Sequence, residues 1–177
     1  MTKMKEFISL NVAILAVSDK QFIDSQSSIE YLASELSQVG HQLFARDVVS
    51  HNKYSLRAQV SAWIADDHVD AVLLTGGTGF SEKDSVPEAL MPLFDKEIDG
   101  FGELFRQLSY AEIGTSTLKS RALAGMANKT MIFCLPSSLG ACKTAWQGIL
   151  KEQLDNRHRP CNFVCHTAAG QRGVEPC

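Results

Sequence analysis

The sequence predicts an α/β protein built on a mostly parallel sheet, and three observations carry that prediction. The stretch Val69 to Ala89 runs from a buried strand, through a glycine-rich turn, into a helix start. Strand-like and helix-like patterns alternate over the first seventy-odd residues. A second apolar run, Thr130 to Leu135, again ends in a polar turn ahead of a helix. Alternation of this kind gives parallel strands joined by right-handed helical crossovers.

Leu10 to Val17 reads as the first strand, closed by Ser18-Asp19. Ser27 and Glu30 form a capping box within the polar cluster Asp24 to Ser28. Ile29, Leu32, Ala33, Leu36 and Val39 then recur at helical spacing, and Gly40 ends the helix. His41 to Val49 is a second strand, its alternation disturbed by Asp47. After a polar connection, Ser55 caps a helix whose core face is Leu56, Val60, Trp63 and Ile64. The run Val69 to Leu74 follows, interrupted only by Asp70, as suits a strand covered on both faces.

Thr75-Gly76-Gly77-Thr78-Gly79 comes next, three glycines in five residues. Glycine permits positive φ and close backbone approach to a ligand, and successive amides in such a turn form an anion-binding concavity. Ser85 and Glu88 make a further capping box, with Pro87 in the first turn. Asp84 therefore stands just before a helix, at the mouth of a sheet, where open α/β sheets bind ligands. Phe101, Leu104, Phe105 and Leu108 mark another helix, introduced by Asp99-Gly100, and Thr115 to Arg121 is a polar segment. Pro136-Ser137-Ser138 leads into a last helix bearing Cys142, Ala145, Trp146, Ile149 and Leu150 on one face. Residues 1–155 are expected to form one domain, and residues 156–177, which lack periodicity, a C-terminal tail or arm.

Composition narrows the function. The 177 residues carry a formal net charge of −3, which leaves no basic surplus for nucleic acid. No stretch reaches the roughly 20 apolar residues of a membrane helix. Lysines precede an apolar N-terminal run, as in a signal peptide, but Asn11 interrupts the run and no small-residue cleavage site follows, so the run reads as a buried first strand. A cytoplasmic protein with reduced thiols is expected from its five unevenly spread cysteines. Cys161-x-x-x-Cys165-His166 lacks the second ligand pair that structural zinc requires.

Both strand-to-helix turns, Thr75 to Gly79 and Pro136 to Gly140, can present amides and a helix start to an anion. Neither a Walker loop nor a dinucleotide fingerprint is present in them. The pattern points to a small phosphorylated or nucleotide-like ligand. TGGTG, a short gap to Asp84, Pro87-Glu88-Ala89, Gly100-Phe101-Gly102-Glu103 and Ser120-Arg121-Ala122 together resemble the MoaB/Mog family of molybdenum-cofactor biosynthesis. The resemblance extends from about Leu10 to about Cys161.

The resemblance implies a three-layer α/β/α fold that binds molybdopterin and assembles as a homotrimer or homohexamer. Active members transfer AMP from Mg-ATP to the molybdopterin phosphate. Gly76, Gly77, Thr78 and Gly79 match the family's ligand-binding turn, and Ser18, Thr75, Ser137 and Ser138 are further ligand-binding candidates. Asp84 matches one of the family's two functional aspartates, which makes it the expected catalytic residue and magnesium ligand. The family's other functional aspartate lies in the turn after the second strand, where this chain has Val49-Ser50-His51-Asn52. A neutral imidazole is a poor magnesium ligand. The chain is therefore expected to bind molybdopterin, with ATP or GTP as candidate nucleotides and adenylyl transfer weak or lost; Asp66, Asp67 or another carboxylate replacing the missing one is the alternative, and an oligomeric scaffold a third. Ser137 stands where the family has glycine, which would reshape that turn if positive φ is needed. Plainer roles compete: Asp84 favouring a helix dipole, His51 as a solvated loop residue, Lys119 and Arg121 as surface charge.

Overall fold

The computed structural model describes residues 5–19 and 26–173. Three strands form the centre of the sheet because they are apolar on both faces: β1 (Asn11–Val17), β3 (Ala71–Thr75) and β6 (Thr130–Leu135). β2 (Gln42–Val49) lies at one edge and leaves Leu43 and Phe44 exposed. At the other side come β5 (Leu123–Ala127) and the two-residue β4 (Lys96–Glu97). The order is β2-β1-β3-β6-β5-β4. The first four strands pair in parallel, whereas β5 runs antiparallel to β6 and β4 antiparallel to β5.

Side-chain alternation divides the core into two layers. Val12, Ile14, Leu73 and Phe133 face α1 (Gln26–Val39), α4 (Asp99–Ile113) and α5 (Leu139–Ala145), meeting Leu32, Leu36, Phe105 and Trp146. Ala13, Leu15, Val72, Leu74 and Ile132 face α2 (Lys53–Ile64) and α3 (Val86–Leu90), meeting Leu56, Val60, Trp63 and Leu90. The fold is the expected three-layer α/β/α arrangement.

Several local expectations are corrected. Ser27 lies inside α1 (Gln26–Val39) and so does not cap it. Asn52, not Ser55, caps α2: its side chain accepts from the Tyr54 and Ser55 amides at 2.9 and 3.0 Å. The sequence reading missed β4 and β5. β5 is five small or flexible residues, and the β5–β6 turn is Asn128-Lys129, with φ of 44° and 67°. Two positive-φ residues in a two-residue loop are the mark of a type I′ hairpin, so the asparagine was the available signal. α5 continues through a π turn, Trp146–Leu150, into α6 (Lys151–Gln153).

Beyond Asn156 the described chain is folded rather than a loose arm, and includes α7 (Ala168–Gly173). Val164 and Thr167 are fully buried, and the Ala169 amide donates to Asp70 Oδ1 at 2.8 Å. Cys134, Cys142 and Cys161 are free thiols, but Cys165 is disulfide-bonded, against the expectation of uniformly reduced cysteines. Among the described residues no group of three or more metal-ligating side chains gathers, and no helix is long and apolar enough to cross a membrane.

Candidate functional site

The connection from β1 through α1 to β2 moves one way along the sheet, and that from β2 through α2 to β3 moves the other. Their divergence opens a crevice at the carboxyl ends of β1 and β3, the usual ligand position in such sheets. The glycine turn sits there because nothing else fits. Gly76 and Gly77 have φ of 97° and 67°. A Cβ on Gly76 would lie 2.7 Å from Val17 O, and one on Gly77 2.6 Å from Val86 Cγ2. The turn is tied to its neighbours by Gly76 N–H donating to Leu135 O (2.9 Å) and Val86 N–H to Gly77 O (3.1 Å).

Gly77, Thr78, Gly79, Asp84, Ser137 and Ser138 line one cleft of about 420 Å³, so the structure brings these sequence-selected residues together. Thr75 and Gly76 lead into the turn without lining the cleft, and Ser18 stands at the end of β1, its amide donating to Val49 O at 2.9 Å. Thr75 is fully buried with its hydroxyl unpartnered. Ser138 caps α5 by accepting from the Ala141 amide at 3.2 Å. Ser137 O accepts from Ser28 Oγ at 2.8 Å, and neither serine has positive φ, so serine in place of glycine imposes no backbone strain here.

Asp84 organises the loop that follows the turn. Its Oδ2 accepts from Ser81 N (2.9 Å) and Ser81 Oγ (2.7 Å). Burial pushes its pKa up, but the two Ser81 bonds, the nearby His51 and the Gly79 amide together hold it below the usual value. Arg121 staples the same loop, donating to Gly79 O (2.8 Å) and Asp84 O (2.6 Å) and pairing with Glu88. Its guanidinium also lies 5.3 Å from the Phe80 ring centroid. Arg121 is thus consumed by structure, while Lys119 lines the cleft.

Behind Asp84 a second groove of about 580 Å³ is lined by His51, Lys53, Phe80, Ser81, Glu88 and Arg121 among others. His51 N–H donates to Asp19 Oδ1 at 3.1 Å, and His51 Nδ1 lies 3.0 Å from Lys83 O. Lys83 Nζ donates to Asp19 Oδ2 at 2.8 Å; that bond, then the His51 amide, lowers the Asp19 pKa. Asp66 and Asp67 follow α2 and precede β3, at the opposite ends of the strands, so neither can replace a carboxylate at this rim. Asp19 is the carboxylate that sequence reasoning passed over; its position directly after β1 was the only signal. Glu112, Ser109 and Thr144, from α4 and α5, complete the cleft and were not anticipated.

The chain that carries this crevice is similar to known proteins over most of its length. A model of the "probable molybdopterin binding domain" matches residues 13–156. The chain belongs to the molybdopterin-binding domain family. It is 55% identical over 161 residues to the molybdenum cofactor biosynthesis protein B of Escherichia coli K12, covering 91% of this chain and 95% of that one. Identity to the protein of the same description from Bacillus subtilis 168 is 41% over 142 residues, 80% and 84% of the two chains. Among solved structures, a molybdenum cofactor biosynthesis protein B superposes with a TM-score of 0.79 at 36% identity, covering 82% of this chain and 91% of that one. The tungsten cofactor synthesizing protein MoaB of Pyrococcus furiosus gives 0.71 at 33%, covering 81% and 92%. This family member is therefore a homologue of molybdenum cofactor biosynthesis protein B.

Proposed function

We propose that this chain binds molybdopterin in the cleft between the glycine turn and Ser137-Ser138, and transfers an adenylyl group to it weakly or not at all. The observation that carries the second half is the corner around His51. An imidazole stands where the family resemblance puts a carboxylate, its Nδ1 beside Lys83 O, while the His51 backbone amide donates to Asp19. Phosphoryl and nucleotidyl transfer depend on positioning and on neutralising charge, so losing one metal-binding carboxylate of two should cost the chemistry more than the binding. Asp84 remains as a candidate magnesium ligand, but its carboxylate already accepts from Ser81 and Gly79. That donor set is a thin one for magnesium unless the ligand's own phosphates complete it.

The test supplies purified protein with molybdopterin and Mg-ATP, then with Mg-GTP, and follows binding and adenylated or guanylated product together. Binding without product is expected, and His51→Asp should then raise product formation. Sustained turnover by the unaltered chain would overturn the proposal. One observation favours the rival, active reading: Asp19 stands one hydrogen bond from the His51 amide, at the correct rim. Under that reading Asp19→Asn abolishes product formation. Homotrimer or homohexamer assembly, implied by the resemblance, is checked on the same sample by light scattering.

A further inference from the structure

We propose that Glu112 is the specificity-determining residue of the cleft, its carboxylate reading the amino-pyrimidinone edge of a bound pterin. This rests on the molybdopterin reading above and assigns one end of that ligand. Glu112 lies in the last turn of α4 and Thr144 on α5, and both line the cleft. Thr144 Oγ1 stands 2.9 and 3.0 Å from the two carboxylate oxygens, and 3.0 Å from Gly140 O. A single hydroxyl proton serves one acceptor at a time, so each carboxylate oxygen keeps accepting capacity. No ion pair joins Glu112 to a cation among the described residues.

A braced, uncompensated carboxylate on a cleft wall selects a ligand that brings donors. The 2-amino group and N3–H of a pterin are two parallel donors, matched to the two oxygens of one carboxylate. Placement along α5 agrees. Ser138 caps the helix and Thr144 comes six residues later, which at 1.5 Å per residue is about 9 Å along the axis. That separation is comparable with the length of a fused-ring pterin carrying its phosphate on the far ring. Phe105, Ile113 and Ala141 supply apolar cleft wall for a flat ring system. The charge also orients the ligand: Glu112 repels a phosphate, which leaves the glycine and serine turns to receive it.

The experiment compares 6-hydroxymethylpterin monophosphate with its lumazine counterpart, in which an oxo group replaces the 2-amino group. Each is titrated by its own fluorescence into the unaltered chain and into Glu112→Gln, and molybdopterin is then titrated into both proteins. Glu112 is exposed, so the substitution leaves the fold intact, and near-UV circular dichroism verifies this. The unaltered chain should prefer the pterin by about tenfold or more, the discrimination of a charge-assisted hydrogen bond. Glu112→Gln should level that preference and weaken molybdopterin binding by a similar factor, with competition by inorganic pyrophosphate unchanged. Thr144→Val, which removes only the brace, should lower affinity severalfold and keep the preference. Undiminished molybdopterin binding or an unchanged preference in Glu112→Gln would overturn this inference alone. Failure of the unaltered chain to bind molybdopterin would overturn the molybdopterin reading and this inference together.

Discussion

The two ends of the strands treat polar groups in opposite ways. At the amino ends, buried polar side chains have hydrogen-bond partners. Asp70, 1% exposed, accepts from the Asn11 amide at 2.9 Å and the Ala169 amide at 2.8 Å. His41 Nδ1 accepts from the Leu10 amide at 3.1 Å, and Thr130 Oγ1 donates to Val69 O at 3.1 Å. Asn156 binds the Ile8 amide through Oδ1 and Glu6 O through Nδ2. At the carboxyl ends, capacity is left over. Thr75 Oγ1 and Ser85 Oγ are buried without a partner, and Lys119 and Glu112 line the cleft outside any ion pair among the described residues. Buried polar groups are costly unless paired, so a rim that pairs them all is closed by the fold, and a rim that does not is left for a ligand.

The largest effect that this contrast predicts is at Asp70. Asp70→Ala removes the acceptor of two amides, each orphaned at about 1–3 kcal/mol, for a total loss of about 2–6 kcal/mol in urea denaturation. Molybdopterin affinity of the folded variant should be unchanged. A loss below about 1 kcal/mol would show that the rim is not held this way.

Next comes pH. Burial lowers His41 to about 4, with Asp155 pulling slightly upward. The unfolded chain therefore takes up this proton near the ordinary value of about 6.5, while the folded chain resists until about 4. Stability should be full above that ordinary value and fall progressively as pH drops towards 4, by at most about 3 kcal/mol. His41→Asn offers an acceptor to Leu10 N–H without titrating, so it should flatten that part of the profile.

The contrast also explains what the sequence could reveal. β1, β3 and β6 were legible as short continuous apolar runs, covered on both faces, and the apolar faces of α1, α2 and α4 because burial there follows a period of 3.6 residues. The glycine turn was legible because positive φ leaves glycine little competition. β5 was not, since Leu-Ala-Gly-Met-Ala takes its strand conformation from the hairpin with β6 and from pairing with β4, not from its own propensity. The segment after Asn156 was not, because single anchors such as Val164 and Thr167, separated by turns, have no period. Of the cleft, the two turns could be read, whereas Glu112 and Thr144 could not: helices α4 and α5 meet only in three dimensions. Arg121 reads from the sequence as surface charge, and packing makes it a loop staple.

The smallest effect in stability is expected at Asp84, and it bears on the cleft most directly. Its pKa is held below the usual carboxylate value, so its stabilisation is present above that value and disappears as pH falls through the lowered one. Asp84→Asn should cost about 1 kcal/mol at neutral pH, and the difference from the unaltered chain should shrink as pH falls below the ordinary carboxylate value and vanish only once the lowered one is passed. An amide nitrogen in place of one carboxylate oxygen keeps a single acceptor, so the two Ser81 bonds or the Gly79 bond must weaken and the loop must loosen. If Asp84 serves only to close that loop, Asp84→Asn should lower molybdopterin affinity equally with and without magnesium. If it also holds the ion, magnesium should strengthen binding to the unaltered chain and not to the variant. The affinity ratio with and without magnesium, measured on both proteins, separates an aspartate that belongs to the fold, as Asp70 does, from one that the fold has lent to a ligand.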